Sequence, residues 1–201
     1  EKLGNFDAAL DIYLQINKTY PNLIDVSHRL GHLYIKMNQN KKAYRFLNRL
    51  IDSESRTAQH YYVAAKMAEK LDDTNLREKI LRSGLAFDEN AGLLYLELAD
   101  VLKKTGRFTE TLRILNECME KNPDFEGAWL ELSQAYFESR NLDKSLEVLE
   151  RGYDRFKLKP TYISNLAWLY LETNTNLSKA LNLAQSAYET DPHNTAIADT
   201  L

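Results

Sequence analysis

The chain repeats itself every 34 residues, and this period restricts its fold more than any other feature. In the run Trp129–Tyr136 an aromatic, a leucine, a small residue and a second aromatic stand at Trp129, Leu132, Ser133 and Tyr136. One period earlier come Tyr95, Leu98, Ala99 and Leu102. Further back come Tyr61, Ala64, Ala65 and Ala68, and then Ser27, Leu30, Gly31 and Tyr34. One period forward come Ile163, Leu166, Ala167 and Tyr170. A chain built this way is an array of like units, each too small to bury its own apolar face.

A second pattern follows the first. Gly106 opens a stretch that runs through Leu112, Leu115 and Cys118 to Asn122-Pro123. Gly4 opens another that runs through Leu10, Tyr13 and Ile16 to Pro21. Asn141 leads through Leu146 and Leu149 to Gly152. The last unit has one extra residue in its turn, Thr173–Asn176, and continues through Ala180, Ala184 and Ala187 to Asp191-Pro192. Apolar residues recur at steps of three and four in both patterns, which is helix periodicity. Each unit therefore reads as two helices joined by a polar turn. Pro21, Pro123 and Pro192 should stop second helices, because proline disfavours helical geometry in the residue before it. Pro160 should open a helix, where its missing N–H costs nothing. The small residues Gly31, Ala65, Ala99, Ser133 and Ala167 should admit close helix approach, with aromatics and leucines filling the remaining space.

Spacing and pattern together resemble the tetratricopeptide repeat over the whole chain. The resemblance implies an all-α fold, a right-handed superhelical solenoid of antiparallel helix pairs, as one domain spanning 1–201. Residues 1–23 read as a partial repeat. Full repeats are expected at 24–57, 58–91, 92–125, 126–159 and 160–194, with 195–201 starting a further one. The chain starts at Glu1 and not Met, and it reads as a piece of a longer array. Its two ends are then expected to expose apolar surface and to associate weakly. A strict monomer by light scattering at high concentration would contradict this.

The unit at 58–91 departs most from the pattern. It has Ala68 where others carry Tyr or Leu, Arg77 at a small-residue position, and no proline in Ser53–Thr57. Loose packing is the expectation, with an Arg77 that faces a partner as the alternative.

In this family, first helices line the concave surface of the superhelix. Matching positions give a candidate partner-binding set of His28, Arg29, His32, Tyr62, Lys66, Leu96, Asp100, Leu130, Gln134, Phe137, Asn165 and Trp168. Val63 and Glu97 fall in the same register. Arg29, Lys36, Lys66 and Lys70 mark the N-terminal part, while Glu131, Glu138, Glu172, Phe137 and Trp168 mark the C-terminal part. The expected ligand is an extended or helical peptide, acidic toward one end and apolar toward the other. Some family members clamp the C-terminal carboxylate of chaperone tails with Lys, Asn and Arg at set positions. Here His28, His32, Val63, Leu93 and Glu97 occupy those places, so that activity is not expected.

Signs of other chemistry are weak. His28 and His32 have the four-residue spacing of two metal ligands, but no third ligand is identifiable and groove-lining histidines are the expectation. His60 and His193 stand alone, and Cys118 reads as a buried packing residue. No Gly-rich phosphate loop or nucleophile motif occurs. No metal site, cofactor or enzymatic activity is expected. With 26 basic and 29 acidic residues the formal net charge is −3, and no apolar run is long enough to span a bilayer.

The leading expectation is a non-catalytic protein–protein interaction scaffold that binds a peptide or partner protein. One alternative is a targeting or regulatory module of a larger enzyme or of a polysaccharide synthesis or export system; Asn165–Tyr170 through Asp191–Asn194 and Asp199–Leu201 is similar to bacterial repeat proteins of envelope and exopolysaccharide systems. A helical-repeat RNA binder is a third reading. It is opposed by 12 basic against 17 acidic residues from Gly92 onward. Cytoplasmic and bacterial periplasmic locations both remain open.

Overall fold

The computed structural model describes residues 6–21, 23–156 and 159–190, and all regular structure among them is helical. In chain order the helices are α1 (Phe6–Thr19), α2 (Ile24–Lys36), α3 (Asn40–Asp52), α4 (Ala58–Lys70), α5 (Thr74–Phe87) and α6 (Gly92–Lys104). They continue as α7 (Phe108–Lys121), α8 (Glu126–Glu138), α9 (Leu142–Arg155), α10 (Pro160–Glu172) and α11 (Leu177–Thr190). The starts of α2, α4, α6, α8 and α10 lie 34 residues apart. Those of α3, α5, α7 and α9 do too, and α11 starts one residue late because of the longer turn before it. Gly4, Asp191-Pro192, His193 and the stretch 195–201 lie outside the described residues.

The chain divides into two compact units, Glu1–Val101 and Leu102–Leu201, with the boundary inside α6. In the first unit α2 packs on α1, α3 and α4, while α4 also packs on α3 and α5. In the second unit α8 packs on α7 and α9, and α10 packs on α9 and α11. The short turns within each pair turn the second helix back along the first. Proline acts as expected: α1 ends at Thr19, α7 ends at Lys121, and Pro160 sits in the first turn of α10.

One backbone device closes every first helix. Asn38, Asp72, Gly106, Arg140 and Asn174 all have φ between 52° and 74°, and they stand 34 residues apart. The N–H of the next residue reaches back to the carbonyl of Tyr34, Ala68, Leu102, Tyr136 or Tyr170, at 2.8–3.0 Å. The left-handed residue itself donates to Ile35, Glu69, Lys103, Phe137 or Leu171, at 2.9–3.0 Å. This double closure satisfies end carbonyls of the helix. Glycine adopts such a φ without strain, and Asn and Asp adopt it with little. Arg140 (φ 62°) is the costly member of the set and is exposed. Arg140→Gly should therefore raise the unfolding free energy by about 1 kcal/mol. Urea denaturation checks this, and an unchanged or lowered midpoint would contradict it.

The small positions are all buried, including Gly31, Ala65, Ala99, Ser133 and Ala167 in the first helices. Their counterparts in the second helices are Ala43, Arg77, Thr111, Ser145 and Ala180, also buried. Ser133 and Ser145 show how close two such positions come. Ser133 Oγ donates to the Ser145 carbonyl at 3.0 Å, and Ser145 Oγ donates to the Ser133 carbonyl at 2.8 Å. Gly84 has no room for a side chain: an added Cβ would lie 2.8 Å from Tyr61 Cβ and 2.6 Å from Leu94 Cδ1. Cys118 is fully buried, and burial followed by Glu117 pushes its thiol up to about 12, so it packs as an apolar group.

The stretch 58–91 is not loosely packed. Val63, Ala64, Ala65, Met67, Ala68, Ile80 and Leu81 are each at most 2 % exposed. Ala68 is small yet fully buried, and Met67 beside it packs against Gly31 of α2. Arg77 is buried, and neither solvent nor a partner face receives it. Three carboxylates do, as described below.

Helix α4 opens on a capping box formed by Thr57 at its N-cap and His60 in its first turn. His60 is buried, and its Nδ1 accepts the Thr57 N–H at 3.1 Å. This requires the neutral ring. Burial lowers its pKa below the ordinary 6.5. The unfolded chain then takes up a proton near pH 6.5 that the folded chain resists. Stability is fully present above that pH and is lost as the pH falls through the folded value. The thermal midpoint should drop between pH 7.5 and about 5.5, and His60→Asn, which keeps an acceptor but does not titrate, should shrink the drop. An equal drop in the variant would exclude this role.

Candidate functional site

The first unit carries a polar face on α2, α4 and α6. His28 and Arg29 are exposed and His32 is half-buried. Together with Asp25 and Leu33 of α2 and Phe6, Ala9 and Tyr13 of α1, they line a hollow of about 650 Å³. His28 and His32 also border a smaller hollow with Ile35, Lys66, Met67 and Lys70. Burial is the main reason the pKa of His32 is lowered, and Lys36, His28 and Lys70 add to it by repulsion. No third His, Cys, Asp or Glu joins this pair as a metal site among the described residues.

The strongest electrostatic feature of this face is not one the repeat pattern leads one to expect. Arg77 comes up from α5 between α4 and α6. Its guanidinium meets Asp100 Oδ2 at 3.0 Å, Glu69 Oε1 at 3.2 Å, and Glu97 at close range. Lys66 Nζ lies 2.6 Å from Glu69 and 3.4 Å from Glu97. Burial works against both cations, yet the carboxylates outweigh it and raise both pKa values. Lys66 and Asp100 are thus tied into an internal network, and Lys66 is not the free cation that its place in the groove register suggests. Arg29, Lys36 and Lys70 are exposed and make no ion pair among the described residues. Val63, in the expected register, is 2 % exposed and belongs to the core. Tyr62 and Leu96 are half-buried and line neither hollow.

The second unit carries a mixed face of aromatic, aliphatic and amide side chains. Leu130, Gln134 and Phe137 of α8 meet Asn165 and Trp168 of α10 around one shallow hollow, over Ser133, Ser145, Leu149 and Leu169. Helical spacing brings each set to one side of its helix. The Phe137 and Trp168 rings pack edge to face with centroids 5.0 Å apart. Trp168 is nevertheless 43 % exposed, whereas its neighbours Leu166, Ala167, Leu169 and Tyr170 are at most 2 % exposed. Beside the hollow, Glu138 accepts from Gln134 at 3.0 Å and from Lys103 at 3.1 Å. Burial alone would raise its pKa, but these two partners lower it. Five residues expected at a binding face are thus brought together here.

A family model for the tetratricopeptide repeat matches residues 2–67 and 102–157, more than half of the chain. The chain belongs to the tetratricopeptide repeat family. The unmatched stretch between the two segments contains Arg77. No curated protein matches the sequence. Among solved structures, the chain is similar to YrrB, described as a TPR protein with an unusual peptide-binding site. The identity is 17 %, the TM-score 0.59, and the match covers 94 % of this chain and 98 % of that one. A thermophilic TPR protein in Thermus thermophilus matches at 19 % identity and TM-score 0.59, over 87 % of this chain and 95 % of that one. The C-terminal part of a TPR protein from Cytophaga hutchinsonii matches at 12 % identity and TM-score 0.66, over 92 % and 74 %. These likenesses establish the all-α helical repeat fold. Proteins built from this repeat are known as interaction modules and are typically non-enzymatic. No described helix of this one is long and apolar enough to cross a membrane.

Proposed function

We propose that this chain is a non-catalytic interaction scaffold that holds a peptide or partner protein on the first-helix faces of its repeats. Exposed Trp168, packed edge to face with Phe137 between the buried residues Leu166, Ala167, Leu169 and Tyr170, is the observation that carries this reading. A large aromatic that is already held in place loses little freedom when an occupant covers it. Gln134 and Asn165 flank it with amides, which can both donate to and accept from a peptide backbone. On the first unit, His28, Arg29, Lys36 and Lys70 suit an acidic segment. The peptide-binding site named for YrrB is in keeping with this use of the fold. Exposed Ile12 and Leu14 on α1, and Leu177 and Leu181 on α11, support the weak self-association expected above.

Selection of random displayed peptides on the purified chain tests the proposal. Enrichment of sequences with a shared apolar position is the expected result. If no sequence enriches over selections on an unrelated helical protein, the proposal fails.

A further inference from the structure

Helices α8 and α10 present the aromatic hollow, and their charges are one-sided. Glu126, Glu131 and Glu138 lie on α8 and Glu172 on α10, while neither helix contains a lysine, arginine or histidine. Two of these acids are already matched: Lys159 pairs with Glu126, and Lys103 pairs with Glu138. Glu131 and Glu172 are exposed and have no ion pair among the described residues. Glu131 stands one turn before Gln134, on the side of α8 that borders the hollow. Glu172 stands one turn after Trp168, on the matching side of α10. The hollow around Phe137 and Trp168 is therefore edged by two acids without an ion pair among the described residues, and neither α8 nor α10 supplies a cation. Its most exposed ring is an indole, the side chain that best attracts a cation to its face.

We infer that the segment held on this face is a basic one, in which arginine or lysine flanks a large apolar residue. The apolar residue lies on Leu130 and Phe137, and the flanking cations lie over Trp168 and beside Glu131 and Glu172. This rests on the reading that the α8–α10 face holds a peptide, and it adds the charge of that peptide. It also sets this face apart from the α2 face, whose exposed Arg29, Lys36 and Lys70 suit the opposite charge.

Three fluorescein-labelled peptides with the same central Leu-Trp core, flanked by arginine, serine or glutamate, test the inference by fluorescence anisotropy. The arginine peptide should bind about tenfold tighter than the serine peptide, and the glutamate peptide should bind weakest. Raising the salt concentration should narrow the differences. The doubly substituted chain Glu131→Gln, Glu172→Gln should remove most of the arginine preference; both positions are exposed, so the fold is not at risk. Equal binding of all three peptides, still dependent on Trp168, would overturn the charge inference and leave the peptide reading standing. No Trp168-dependent binding of any of them would overturn both. An arginine preference that survives in the double variant would also count against the assignment to Glu131 and Glu172.

Discussion

Replacing Arg77 by alanine should lower the unfolding free energy by about 3 kcal/mol, a large part of what a domain this size has to spare. Alanine is the residue that related positions of this chain tolerate, as Ala43 and Ala180 show. A reading based on the repeat pattern alone would therefore expect a neutral or stabilising change. The structure reverses that expectation. Arg77 is 4 % exposed, and its removal leaves Glu69, Glu97 and Asp100 close together without the guanidinium that all three share. The Glu97 side chain, 17 % exposed, recovers little solvation from water. The double variant Arg77→Ala, Glu97→Gln should be more stable than Arg77→Ala alone, because one unmatched charge is gone. Denaturant unfolding of the four chains of the cycle measures this. A loss under about 1 kcal/mol for Arg77→Ala, or no recovery in the double variant, would mean the cluster contributes nothing beyond exposed pairs.

Trp168→Ala should weaken a selected peptide by about 30-fold, since buried aromatic anchors commonly carry about 2 kcal/mol or more of an interface. Its effect on stability should be smaller, about 1 kcal/mol, because the ring is half-exposed and loses mainly its contact with Phe137. Phe137→Ala should follow it in affinity, as the Phe137 ring packs against the indole. Titration calorimetry gives the affinity, and circular dichroism gives the fold. Full affinity in Trp168→Ala would place the peptide elsewhere. If Trp168→Ala loses helix along with affinity, Gln134→Ala serves as the milder probe of the same face, and it should still weaken binding.

The repeat is legible in the sequence because its demands are local. A small residue at Gly31 or Ala65, a proline at Pro123, and a leucine at Leu132 each carry out a task that residue type announces. The meeting of Leu130, Gln134, Phe137, Asn165 and Trp168 follows from the period together with the family resemblance, which assigns these first-helix positions to one surface. Two features are less legible. Arg77 breaks the pattern at a small-residue position, and nothing in the residue order says directly that Glu97 and Asp100 receive it. The signal is indirect: a cation in a buried register needs carboxylates within reach, and the next first helix supplies two of them. Val63 is misplaced when register is carried over from one helix to another, because α4 buries a wider stripe, from His60 to Ala68, than α8 does. The left-handed turn residues are visible as Gly106 and Asn174 but not as Arg140, since nothing in an arginine suggests positive φ.

The chain has two tryptophans, and this gives the most direct test of the central claim that the α8–α10 face is where a partner sits. The indole N–H of Trp129 donates to the Pro123 carbonyl at 3.0 Å and its ring is 6 % exposed, so it serves as an internal control. The two indole N–H signals in a proton–nitrogen correlation spectrum can be followed while a selected peptide is added. The expected result is a progressive shift of the Trp168 signal, together with the side-chain amides of Gln134 and Asn165, while the Trp129 signal stays in place. A bound peptide that leaves Trp168 unmoved, or shifts Trp129 instead, would contradict the claim.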